Sequence, residues 1–181
     1  MFRKIAIFGV IGGVIVATPM LVMTFAMPGA MEHGGMLLGY TIMLVALSMV
    51  FLGVKSQRDN ELGGVIRFWP ALGMGLAISV VAGLFYVGAW EICMSTMQGD
   101  FIGEWAKSEI AQRRAAGMSA ADLAKFTAQM DALRANYANP LYRMTMTFFM
   151  EIFPVGVIVS LVSAGSLCFP RFLPARRTQP A

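Results

Sequence analysis

The chain has 181 residues, 57% of them hydrophobic and only 13% charged, with a formal net charge of +4, and its mean hydropathy is +0.68. A soluble domain carries roughly 25% charged residues, so this composition excludes a water-soluble fold. At this length the chain makes one compact membrane domain and is too short for a large transporter in a single copy.

The first apolar run covers residues 5–27 and follows Met1-Phe2-Arg3-Lys4. That start is like a signal peptide, but a signal h-region spans roughly 7–15 residues. The longer run predicts a retained first transmembrane helix. Pro19 inside it frees the carbonyl of Ile15 and predicts a kink, and Pro28-Gly29 ends it. A second run covers 35–54 and a third 68–90, the latter read as a helix to about 94. The fourth run, 152–169, is read as a helix from about 146, with Pro154 freeing the carbonyl of Met150. Each run reaches or nearly reaches the roughly 20 residues that cross a bilayer core.

Between the third and fourth runs, residues 98–140 change character. Leu123, Phe126, Met130, Leu133 and Tyr137 recur at spacings of three and four, one apolar stripe of a helix. Ser119 with Asp122 forms a shortened capping box, and Gly117 ends a preceding helix over about 103–116 that carries Trp105 and Ile110. The insert therefore reads as a helical hairpin outside the membrane. Its stripe buries against its own first helix, the lipid surface or the top of the bundle, or else against a partner or a second protomer.

Lys and Arg set the orientation. Arg3, Lys4, Lys55, Arg58, Arg67, Arg171, Arg176 and Arg177 fall at one end, and the short loop 28–34 has no Lys or Arg. The positive-inside rule then places both termini in the cytoplasm and the hairpin on the other side. The basic excess thus reflects topology and not nucleic-acid binding. Lys55, Arg58 and Arg67 are expected between the second and third helices at lipid phosphate level, as anchors or as a site for headgroups or an acidic partner.

Small residues recur every fourth position: Gly9 and Gly13, Gly35 and Gly39, then Ala71, Gly75, Ser79 and Gly83, and finally Gly156, Ser160 and Ala164. In lipid such faces permit close helix packing, and the long stripe puts the third helix at the bundle centre. Cys93 and Cys168 fall toward opposite ends and are not expected to pair.

Few residues carry chemistry. Glu91 and Glu151 interrupt apolar runs, and a carboxylate at membrane depth is by default a functional hypothesis. Both fall at similar depth on antiparallel helices. Facing each other, they would share a proton or cation, with Arg143 as a counter-charge for Glu151; otherwise they are interfacial or structurally paired. His33 with Met31 and Met36 could ligate Cu(I), although Met also fills gaps in apolar bundles. No nucleophile–base constellation or phosphate loop is present, so no enzyme activity and no cofactor are expected.

The segment running from Gly53, Val54 and Lys55 through Arg58 and Asp59 to Gly63, Gly64 and Phe68 resembles that of a bacterial membrane family, the one catalogued as domain of unknown function 4199. Gly117-Met118-Ser119 and the four-helix layout extend the resemblance over nearly the whole chain, while Arg67 and Pro70 depart from it. The resemblance implies an inner-membrane protein and supplies no catalytic residue or substrate. The expected fold is an all-α membrane protein, a single integral domain over 1–181. Its transmembrane helices lie at about 5–27, 35–54, 68–94 and 146–169, with an extracytoplasmic helical insert at about 98–140. The expected role is a non-catalytic oligomeric or accessory membrane subunit, in the bilayer with a second copy or a membrane-protein partner. The alternative is a small oligomeric transporter or channel for an ion, solute or lipid that uses Glu91 and Glu151.

Overall fold

The computed structural model describes residues 1–26, 35–96, 100–169 and 171–174. Among these the chain is all helical, with α1 (Phe2–Ala26), α2 (Gly35–Glu61), α3 (Phe68–Thr96), α4 (Phe101–Ala115) and α5 (Ala120–Tyr137). A last long helix is built from α6 (Pro140–Thr147), a π-helical turn (Phe148–Ile152) and α7 (Phe153–Leu167). Four helices are long and apolar enough to cross a membrane: α1, α2, α3 and the continuous α6–α7 span Pro140–Leu167. Their apolar residues face all ways, as expected where lipid replaces water on the outside. Only 28% of the most apolar stretch of α1 is buried inside the protein, against 44% for α3. That makes α3 the central helix, as its small-residue stripe predicts.

The stripes interlock. Ala71, Gly75, Ser79 and Gly83 of α3 and Gly156, Ser160 and Ala164 of α7 are all buried. The Ser79 hydroxyl donates to the Gly75 carbonyl at 3.0 Å and lies 3.4 Å from both the Gly156 carbonyl and the Ser160 hydroxyl. A Cβ at Gly156 would sit 2.8 Å from that of Ser79, so only glycine permits this approach. On the other flank Gly9 and Gly13 of α1 receive Val81 and Phe85 of α3. Gly39 behaves differently. It is exposed, and a side chain there would meet open space.

At the end of the bundle that holds the chain termini, two expectations change. The second helix continues past residue 54 to Glu61, carried by i,i+4 contacts from Lys55 to Asp59 and from Gln57 to Glu61. It stops at Gly63 and Gly64, whose φ values of 64° and 91° suit glycine. Lys55 and Arg58 are therefore helical rather than in a loop. Arg58 is not at a lipid surface but fully buried. Its guanidinium pairs with Asp59 at 2.6 Å and donates to the carbonyls of Leu167 (3.5 Å), Phe172 (2.9 Å) and Leu173 (2.5 Å). The Leu167 carbonyl closes α7, where no intrahelical donor is left for it, and the other two belong to the segment that follows the helix. Five fixed N–H donors make arginine suited to collecting them. Arg67 remains exposed as expected, Phe68 is half-buried, and Gly53 packs against Phe8 and Ile78. Lys4 donates to the Ser56 carbonyl at 2.8 Å and pairs with Glu61 at 3.0 Å, tying α1 to the end of α2.

The last helix also starts earlier than the apolar run implies, at Pro140 behind an Asn139 cap. Polar residues here still continue the helix because its first turns pack on α3 and α5. Pro154 leaves its mark just upstream. A proline cannot donate to the Met150 carbonyl and its ring crowds that group. The chain widens into the π turn there, with the Phe153 N–H bonding to the Phe148 carbonyl. Pro19, by contrast, lies inside a helix that continues through it.

Arg58→Ala should lower stability by about 3 kcal/mol, since it empties a fully buried position and leaves three carbonyls without their donor. Thermal melts followed by circular dichroism in mild detergent measure this. Arg58→Lys should recover only part of the loss, and an unchanged melt for Arg58→Ala would mean that water already serves those carbonyls.

Candidate functional site

At the opposite end of the bundle the packing loosens. The main core cluster, with Leu47, Val50, Ile78 and Ile152, ends at Met43 on α2, and a smaller one gathers Met20, Ala89 and Cys93 between α1 and α3. Between them lies a half-open, mostly apolar cavity of about 520 Å³, within the range of small-molecule sites.

Six elements build its wall. α1 supplies Val16, Met20 and Met23; α2 supplies Gly39, Tyr40, Ile42 and Met43; α3 supplies Tyr86 and Trp90. Phe101, Ile102 and Trp105 of α4, with Leu133 and Tyr137 of α5, close it from the insert. Met146, Met150 and Glu151 complete it from the last helix. Tyr86 and Trp90 are four apart and so share a face of α3. The π turn explains Glu151: its extra residue per turn brings the carboxylate toward the face of Met146 and Met150, while Ile152 turns into the core.

The insert of α4 and α5 is seated on this cavity by three polar links. Trp90 Nε1 donates to the Tyr137 hydroxyl at 2.8 Å. Burial holds that hydroxyl above the ordinary tyrosine range, so it stays neutral. Arg143 grips Glu91 with two bonds, of 2.7 and 2.5 Å, and donates a third to the Tyr137 carbonyl at 3.1 Å. Within the insert, Asp100 caps α4 through the Gly103 N–H and pairs with Arg134 of α5. Ser119 caps α5 as the sequence predicts, but the short Asp122 carboxylate accepts from the serine hydroxyl (2.7 Å). Gly117, at φ 81°, ends α4.

The two glutamates thus have separate partners. Glu91 belongs to the Arg143 pair, both side chains being largely buried, and neither lines the cavity. Glu151 does line it and accepts from the Tyr86 hydroxyl at 2.7 Å. Among the described residues no hydrogen bond joins the two carboxylates, and Arg143 serves Glu91 rather than Glu151. The expected apolar stripe is half-buried at Leu123, Phe126, Met130 and Leu133 and buried at Tyr137. Arg113 of α4 stacks over the Phe126 ring at 4.8 Å, and Leu133 and Tyr137 line the cavity. His33 and Met31, the copper candidates, lie outside the described residues, as does the side chain of Met36. Among the described residues no three His, Cys, Asp or Glu side chains gather. Cys93 and Cys168 are free.

Sequence reasoning passed over Tyr40, Tyr86, Trp90, Met146 and Met150. The available signal was the Tyr86/Trp90 pair one turn apart beside Glu91, but aromatics near a helix end also mark a membrane interface.

A family model described as "Protein of unknown function (DUF4199)" matches residues 7–167. The chain belongs to this family, which the segment from Gly53 to Phe68 resembles. No curated protein and no solved structure matches the chain.

Glu91→Gln should cost about 2 kcal/mol in a detergent melt, because it leaves a largely buried guanidinium without its counter-charge. Glu151→Gln should change the melt little, since an amide oxygen can still accept from Tyr86. Equal effects of the two substitutions would contradict this division of roles.

Proposed function

We propose that this chain is a non-catalytic inner-membrane protein that binds an apolar or amphiphilic small molecule in the cavity between its helices. The observation that carries the reading is the cavity itself: about 520 Å³, apolar, and walled by four membrane-length helices and the insert. Its polar groups are phenols, an indole and one carboxylate, which suit orienting a ligand rather than breaking a bond. Leu133 and Tyr137 of the insert's apolar stripe line this wall, which supports a ligand-binding reading beside that of a protein partner. Of the two carboxylates proposed for transport, Glu151 alone can meet a bound molecule.

The Lys and Arg distribution supports cytoplasmic termini and an extracytoplasmic helical hairpin. The cavity would then sit in the outer half of the membrane. Alkaline phosphatase joined after residue 117 should be active and the same enzyme at the C-terminus inactive; the reverse pattern would invert the topology.

Binding is tested with N-phenyl-1-naphthylamine on protein in lipid nanodiscs. Saturable fluorescence enhancement is expected for the native chain. Gly39→Trp adds bulk at the cavity wall where nothing lies within 4 Å and removes a helix-weakening glycine. It should keep its melting temperature and lose affinity by about tenfold, roughly 1.4 kcal/mol. Identical, non-saturable partitioning in both proteins would overturn the proposal.

A further inference from the structure

We propose that the occupant of this cavity is a lipophilic organic cation, an amine or a quaternary onium ion with an apolar body. The inference rests on the cavity being a binding site and adds the charge of what it binds.

Three observations combine. The first is the carboxylate. Glu151 directs one oxygen, Oε2, to the Tyr86 hydroxyl. Among the described residues its other oxygen has no hydrogen-bond partner, and it is not one of the sealed, unpartnered side-chain atoms of the protein. Glu151 lines the cavity, so that oxygen is the acceptor left to serve a ligand there. An acceptor of this kind at membrane depth is costly without a partner, and a cation supplies one.

The second is the lining. Tyr40, Tyr86, Trp90, Phe101, Trp105 and Tyr137 stand around the same space. Trp90 meets Phe101 edge to face, with centroids 5.5 Å apart, and holds Tyr137 through its indole N–H. Ring faces attract a cation through their quadrupoles, most strongly where water is excluded. They have no comparable attraction for an anion.

The third is the disposition of the positive charges. The nearest guanidinium, Arg143, is neutralised by two bonds to Glu91 and turned toward the Tyr137 carbonyl. No Lys, Arg or His lines the cavity among the described residues. A carboxyl group among aromatic rings, with the neighbouring cation paired elsewhere, complements a diffuse positive charge on an apolar frame, whose arrival would favour the ionised carboxylate.

The experiment compares three tetraphenyl probes of closely similar shape on protein in nanodiscs: cationic tetraphenylphosphonium, neutral tetraphenylsilane and anionic tetraphenylborate. Binding is followed by calorimetry and by quenching of tryptophan fluorescence. The phosphonium should bind at least tenfold more tightly than either of the others. Glu151→Gln should erase that preference while leaving the neutral probe's affinity unchanged, which also shows that the variant is folded. Trp105→Ala, at a half-exposed position that holds no polar link, should weaken the phosphonium severalfold. Equal binding of the cation and the neutral probe, or full cation affinity in Glu151→Gln, overturns the charge assignment and leaves the cavity as an apolar site. Failure of all three probes to bind overturns the cavity as a binding site.

Discussion

The close approach of α3 to α7 is the constraint on which the rest of this molecule depends. Lipid tails are as apolar as any side chain, so hydrophobic burial does not draw membrane helices together. Contact area and weak polar bonds must do so. Gly75 against Ser160 and Ser79 against Gly156 bring the two backbones as near as they can come. The hydroxyls meet in the seam. With α1 drawn in through Gly9 and Gly13, α3 becomes the axis that the other helices share.

What lies beyond the seam follows from where the small residues stop. Above Gly83, which Phe148 covers, the helices carry Tyr86, Trp90 and Met150, which cannot interdigitate as closely. Pro154 adds a π turn at the same level. The bundle therefore opens toward one end. The insert helices α4 and α5 cover the opening, held by Trp90, Tyr137 and the Glu91–Arg143 pair. Tight packing at one level and bulky, slightly unwound packing at the next give a small chain an enclosed space.

Charge is distributed with similar economy. Near the end of α7, Arg58 gathers Asp59 and the carbonyls of the segment that follows the helix, so a buried cation organises the chain there instead of facing phosphate. At the other end Arg143 and Glu91 neutralise each other while fastening the insert. Each membrane-level charge is thereby assigned to structure except Glu151, whose only partner among the described residues is a phenol. This is why that residue, and not the pair of glutamates, defines the candidate site.

The sequence by itself determined the four membrane-length helices, the central place of α3, the turn at Gly117 with its Ser119 cap, and the family. Those features are written in local terms: uninterrupted apolar length, small residues every fourth position, and cap and turn chemistry. Only the tertiary structure decided the roles of the charges and aromatics. Arg58 reads as a surface anchor because its partners are carbonyls more than 100 residues away, and carbonyls leave no trace in a sequence. Glu91 and Glu151 look equivalent in depth, but their rotation about antiparallel helices separates them, and one of those helices is re-phased by a π turn. The cavity was illegible for the same reason: an empty space is a property of how six elements fail to meet, and no single segment encodes it.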